Sequence, residues 1–117
     1  MKIEGNGVLL RIFVGESDRY DGQPLYEAIV RVAHEHGVAG ATVMRGMTGF
    51  GANSRIHTTK ILRLSEDLPM IIEIVDSEEK IEEVLPIIDD MVTEGLITRE
   101  KVTVIAYRHN GDSEQPN

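Results

Sequence analysis

Two segments of this chain, Val8-Leu-Leu-Arg-Ile-Phe-Val14 and Met70-Ile-Ile-Glu-Ile-Val75, read as β-strands whose residues are apolar on both faces, apart from Arg11 in the first and Glu73 in the second. Strands of that kind belong in a sheet that is covered twice. The rest of the chain supplies only two helices to cover it. In the first, Pro24 stands at an initial helical position, Leu25, Ala28, Ile29, Val32 and His36 recur at helical spacing, and Gly37 closes the segment as its C′ residue. In the second, Asp76-Ser-Glu-Glu79 has the form of a capping box, with Asp76 as N-cap and Glu79 reaching back. Its apolar stripe is Ile81, Val84, Leu85, Ile88, Met91 and Val92, and Gly95 closes it. Pro86 lies inside that stripe, which predicts a lost hydrogen bond and a kink. Two helices cover one face of a sheet. The other would be a large bare apolar patch, so the pattern predicts oligomerisation.

The remaining elements follow from turn signals and periodicity. Asp21-Gly22 marks a turn, Thr42–Met47 returns as a strand, Thr58–Leu64 extends as a strand arm, and Ser65–Pro69 breaks it. Val102–Ala106 is the last strand. The order is strand–helix–strand, loop, strand–helix–strand. It predicts an α+β fold, a ferredoxin-like βαββαβ sandwich with a four-stranded antiparallel sheet and both helices on one face. His36-Gly37-Val38 and Glu94-Gly95-Leu96 form an internal echo at equivalent helix exits. Residues 1–109 read as a single domain and 110–117 as a flexible polar tail.

Composition narrows the function classes. The chain has no cysteine, which removes disulfides, thiol nucleophiles and thiolate metal sites. No signal segment is visible, and no apolar run reaches the ~20 residues of a membrane helix, so the expectation is a cytoplasmic protein without direct membrane insertion. A net charge of −8 and scarce aromatic residues argue against nucleic acid, whose binding rests on phosphate neutralisation and base stacking.

Against this acidic background one stretch is cationic. From Ala41 to Ser65 there is no acidic residue, while Arg45, Arg55, Lys60 and Arg63 give a charge of +4. From Glu66 to Glu100, twelve acidic residues face only Lys80 and Arg99, a balance of −10. Within the cationic stretch, Gly46, Gly49 and Gly51 make a glycine-punctuated turn that matches neither the Rossmann nor the P-loop spacing. Arg45 and its cationic neighbours are candidates for an anion or a protein partner, or for a solvated positive face. Met47, Phe50 and Ile56 are apolar residues in polar surroundings, suited to anchoring the loop or to contacting a partner. His57 stands near Arg55, where it would meet a ligand phosphate or serve as a structural hydrogen-bond partner. His34 and His36, two residues apart, face different sides of a helix and do not make a metal site. The carboxylate pairs Glu82-Glu83 and Asp89-Asp90 lie on the outer side of the second helix. No nucleophile, base and orienting group assemble, so the reading is a protein that is not an enzyme, with no catalytic residue.

Several of these residues together resemble a known family. Val38–Val43, Gly49-Phe50-Gly51, Leu68-Pro69 followed by Ile71–Val75, and Glu94-Gly95 with Lys101 are similar to the PII signalling proteins. The closer likeness is to the PII-like family of domain of unknown function 190, through Arg45–Gly51, His57, Asp67–Pro69 and Glu73–Asp76. The resemblance spans about residues 8–107. It implies a homotrimer, a regulatory role, and an adenine nucleotide or another small anionic metabolite in the cleft between subunits. No cofactor beyond that ligand is implied. Residues 47–60 would correspond to the T-loop, with Met47, Arg55, Ile56, His57 and Lys60 facing a partner. Arg45, Gly46, Gly49, Phe50, Gly51, Asn53 and Lys101 would face the ligand, Asn53 at the place of a magnesium-coordinating Gln and Lys101 at that of the B-loop Lys.

The chain also departs from the PII pattern. Thr98 and Glu100 replace two B-loop glycines, Ala52 replaces a basic residue, only Arg108 is basic after Tyr107, and the loop has no tyrosine for uridylylation. These departures argue against ATP held in the PII manner and leave a smaller or less charged ligand open. Two alternatives stand beside this one. One is a ligand-independent module docking on a membrane transporter or channel. The other is a trimeric metal-binding protein like the CutA family, which shares the fold.

Overall fold

The computed structural model describes residues 5–49 and 67–108. Strand β1 (Gly5–Gly15) is followed by a short hairpin, β2 (Arg19–Tyr20) and β3 (Gln23–Pro24), and by helix α1 (Leu25–Glu35). Then come β4 (Ala41–Arg45), β5 (Pro69–Asp76), α2 (Glu78–Met91) and β6 (Leu96–Val104). The main sheet is antiparallel in the order β4-β5-β1-β6. This is the ferredoxin-like βαββαβ arrangement expected from the periodicities.

Strict alternation places the core. Val8, Leu10, Ile12 and Val14 of β1 and Met70, Ile72 and Ile74 of β5 are buried beneath Leu25, Ala28, Ile29 and Ala33 of α1 and Ile81, Val84, Ile88 and Met91 of α2. Each helix end is closed by a local device. Leu25 N–H, at the start of α1, donates to the Asp18 carbonyl at 2.8 Å. At its exit, Gly37 has φ +79°, Gly37 N–H donates to the His34 carbonyl and Val38 N–H to the Ala33 carbonyl, the paired bonds of a Schellman motif.

Four details differ from the sequence reading. Ser77, not Asp76, caps α2: its Oγ accepts from Lys80 N–H at 3.2 Å. Asp76 turns inward at 1% exposure and accepts from Ser77 N–H at 2.6 Å and Ala39 N–H at 2.8 Å. It thereby ties the start of α2 to the turn after α1. Helix α2 continues past Pro86, which offers it no N–H and lies on its exposed side. It ends four residues before Gly95, so the echo between the two helix exits is not structural. Finally, β6 begins at Leu96 rather than Val102, because backbone pairing with β1 runs from Leu96 opposite Phe13 to Val104 opposite Gly5. Asp21 (φ +52°) and Gly22 (φ +80°) form the expected turn, which closes the unforeseen β2–β3 hairpin.

The second face of the sheet carries no helix. Cross-strand register orders its side chains in rows. Met44, Ile71, Phe13 and Leu96 form an apolar row across all four strands. Beside it runs a polar row, Thr42, Glu73, Arg11 and Thr98, and then Val75, Leu9 and Glu100. Arg11 Nε and Glu73 Oε2 pair at 2.8 Å, each side chain about a third exposed. Met44, Leu96 and Val75 are exposed.

Candidate functional site

The segment between β4 and β5 leaves and rejoins the sheet at one corner. Gly46 N–H donates to the Pro69 carbonyl at 2.7 Å, so the outgoing and returning legs touch where the strands end. A Cβ at Gly46 would lie 2.6 Å from Pro69 Cγ, which is why no side chain is tolerated there. Gly49 has φ +151° and lies over the same proline ring. The leg-to-leg contact thus depends on the Arg-Gly-x-x-Gly pattern and on Leu68-Pro69 together.

A third segment braces this neck. Glu16 N–H donates to the Leu68 carbonyl at 2.8 Å, and the Glu16 carboxylate pairs with Arg45 Nη2 at 3.1 Å. Ser17 donates to Asp67 Oδ1 from both N–H (3.0 Å) and Oγ (2.8 Å). Asp67 sits at φ +41°, an uncommon conformation for a residue with a side chain, and these two bonds hold it there. Glu16, Ser17 and Asp67 were absent from the sequence-derived site. Glu16 and Ser17 stand in a polar cluster after an apolar strand, and Asp67 opens the Asp67–Pro69 motif.

Among the candidate ligand residues, Arg45, Gly46 and Gly49 therefore converge at this corner. Lys101 does not join them within one chain. It lies on β6 opposite Val8, whereas Arg45 lies on β4, opposite Met70 and level with Val14. Three strand spacings and six residues of β1 separate the two, roughly 25 Å along the diagonal of the sheet. Lys101 instead lines a cleft of about 350 Å³ with Asn6, Arg99, Glu100 and Glu78 near the start of α2. Arg99 there is engaged with Glu82 at 2.9 Å, while Lys101 has no ion pair with a described residue. Thr98 and Glu100, compared above with B-loop glycines, are regular strand residues that face away from α2.

Met47 is 83% exposed beside Arg45. The candidates Phe50, Gly51, Asn53, Arg55, Ile56, His57 and Lys60, the strand arm Thr58–Leu64 and the tail 110–117 lie outside the described residues. His34 is exposed, and His36 Nδ1 lies 2.9 Å from the Val32 carbonyl. Among the described residues no three His, Asp or Glu side chains are grouped so as to hold a metal ion, and no helix is long and apolar enough to cross a membrane.

The sequence and the fold both have counterparts. The model of the DUF190 family, described as "Uncharacterized ACR", matches residues 7–104. The chain belongs to the DUF190 family. It is 42% identical over 97 residues to a UPF0166 protein of Aquifex aeolicus strain VF5, across 83% of this chain and 91% of that relative. It is 39% identical over 90 residues to UPF0166 protein MJ1524 of Methanocaldococcus jannaschii, across 76% and 82%. Among solved structures, this DUF190 chain is similar to CPII from Thiomonas intermedia K12 bound to ADP, AMP and acetate, with a TM-score of 0.60 at 16% identity, covering 86% of this chain and 89% of the other. The apo form of CPII, a nitrogen regulatory PII-like protein, gives 0.58 at 15% identity over 85% and 91%. At those identities the likeness is one of fold. The fold is PII-like.

Proposed function

We propose that this DUF190 protein is a PII-like regulator rather than a catalyst. In this reading it senses a small anionic metabolite, with an adenine nucleotide as first candidate, and acts on a partner through residues 47–60. The observation that carries the reading is the neck: Gly46 and Pro69 hold the two legs together at 2.7 Å, with Arg45 next to Gly46, in a stretch of sequence rich in cationic residues. An anion bound to Arg45 would act where the two legs meet, which is how a small ligand biases the conformation of the segment between them. The similarity in fold to CPII, seen with ADP and AMP, supports a nucleotide as the ligand.

The reading also includes a homotrimer. Lys101 and Arg45 lie too far apart in one chain to share a nucleotide, so a site using both is completed between copies. The uncovered apolar row Met44-Ile71-Phe13-Leu96 is the surface on which copies would meet.

Calorimetric titration with AMP, ADP, ATP and cyclic AMP tests the proposal. At least one should bind below the millimolar range, and Arg45→Ala should weaken it about tenfold or more, as expected for loss of a charge-assisted contact. No binding below the millimolar range, with Arg45→Ala and Lys101→Ala indistinguishable from wild type, would sink the nucleotide reading.

A second reading draws on Met47, whose 83% exposure two residues after Arg45 offers an apolar anchor. Here the loop docks on a membrane transporter or channel without any ligand. Pull-down with and without residues 47–60 separates the two, since binding of this kind would not respond to added nucleotide.

A further inference from the structure

We propose that Glu16 is an internal competitor for the anion at the neck. Its carboxylate occupies the place on Arg45 that a ligand's carboxylate- or phosphate-sized group takes on binding. The inference rests on Arg45 being an anion contact, and it adds what holds that residue in the absence of ligand.

The geometry behind it is a turn that grips both ends of the segment between β4 and β5 by different means. Arg45 Nη2 straddles the Glu16 carboxylate, at 3.2 Å from Oε1 and 3.1 Å from Oε2. That is the grip on the outgoing leg, and it is purely ionic. The returning leg is held through backbone and fixed polar contacts, Glu16 N–H to the Leu68 carbonyl and Ser17 to Asp67. The turn itself is rigid, because Gly15 N–H donates to Asp18 Oδ2 at 2.8 Å and the Asp18 carbonyl accepts from Leu25 N–H at the start of α1.

Of these contacts, only the Arg45–Glu16 pair presents a cation that a dissolved anion can take over. The Arg45 side chain is 54% exposed, so a dissolved anion can reach it. An anion that captures Arg45 therefore detaches the outgoing leg from the turn while the returning leg stays held. Occupancy of the site is converted into a change at one leg alone. An exposed ion pair is worth little, which suits a contact that a ligand must displace.

Neutralising the competitor tests this. Glu16→Gln should bind ADP about two- to fivefold more tightly than wild type, the factor that loss of an exposed ion pair allows. The Gly46 amide, followed by hydrogen exchange without nucleotide, should exchange faster by about the same factor. Adding Glu16→Gln to Arg45→Ala should change nothing further, since the two act through one contact. A merely structural role for Glu16 would weaken ADP binding instead. If wild type binds ADP and Arg45→Ala weakens it while Glu16→Gln binds as wild type or worse, the competitor is overturned and the anion site stands. If neither wild type nor Glu16→Gln binds ADP, both fall.

Discussion

Glu73→Gln separates a sheet face open to water from one covered by another copy of the chain. Glu73 and Arg11 pair at 2.8 Å between N and O, each about a third exposed, in the middle of the polar row that crosses the uncovered face. With charge centres about 4 Å apart, Coulomb attraction is about 1 kcal/mol in water and about 4 kcal/mol at an effective dielectric near 20. Screening and side-chain entropy reduce the first figure to a net contribution of at most about 1 kcal/mol. In a covered face the balance is different. The isosteric change to Gln would leave the Arg11 guanidinium without its counter-charge among Leu9, Phe13 and Ile71, at a cost of about 3–5 kcal/mol per chain. For a domain of this size 1 kcal/mol moves Tm by about 4–8 °C, so a covered face predicts a fall of at least about 12 °C and an open one a fall of at most about 8 °C. Thermal unfolding at two protein concentrations, with sedimentation velocity on the same samples, measures this. The covered-face reasoning also predicts that Arg11→Met combined with Glu73→Met restores stability, because two apolar side chains leave no charge unpaired. A fall below about 8 °C, independent of concentration and with sedimentation unchanged, would refute it.

Two further outcomes concern the fold that carries the site. Asp76→Ala removes the buried acceptor of Ser77 N–H and Ala39 N–H and should cost about 2–4 kcal/mol in urea unfolding, whereas a loss below about 0.5 kcal/mol would mean the carboxylate is no tie between the helices. Pro86→Ala should stabilise the protein by about 1–3 kcal/mol in the same assay, since it restores a hydrogen-bond donor inside the unbroken helix α2, and a destabilised variant would show that the proline ring contributes to packing.

The parts of the fold legible in the sequence are those where periodicity and burial coincide. Val8–Val14 and Met70–Val75 alternate onto a helix-covered face, and the helical spacing from Leu25 together with Gly37 locates α1 and its end. Most of β6 is hidden in the sequence because it is an edge strand. Its Thr98, Arg99, Glu100 and Lys101 serve an exposed edge, where charge prevents further pairing, and so they read as a polar loop. The sequence leaves the α2 cap ambiguous because Asp76 and Ser77 are both good N-cap residues. Burial of the Asp76 carboxylate decides between them, and burial is a property of the assembled sheet.

The neck was half legible for a similar reason. Arg45, Gly46 and Gly49 stand close in sequence and announce themselves by charge and glycine spacing, but Glu16 reaches Arg45 across 29 residues, through the order in which the strands assemble. Local pattern carries no trace of that contact. The same holds for Lys101, which motif matching grouped with Arg45 and which the register sets at the opposite corner of the sheet.

That separation makes assembly and ligand binding one question. A nucleotide touching both Arg45 and Lys101 must draw them from two copies, and the uncovered face is the surface available to bring copies together. If Glu73→Gln dissociates the protein, a shared site must lose affinity with it, and Lys101→Ala must have no further effect on the separated chains. If separated chains bind ADP as tightly as the assembly does, the ligand sits at the neck alone, between Arg45 and the Glu16 it displaces, and Lys101 belongs to its own cleft beside α2.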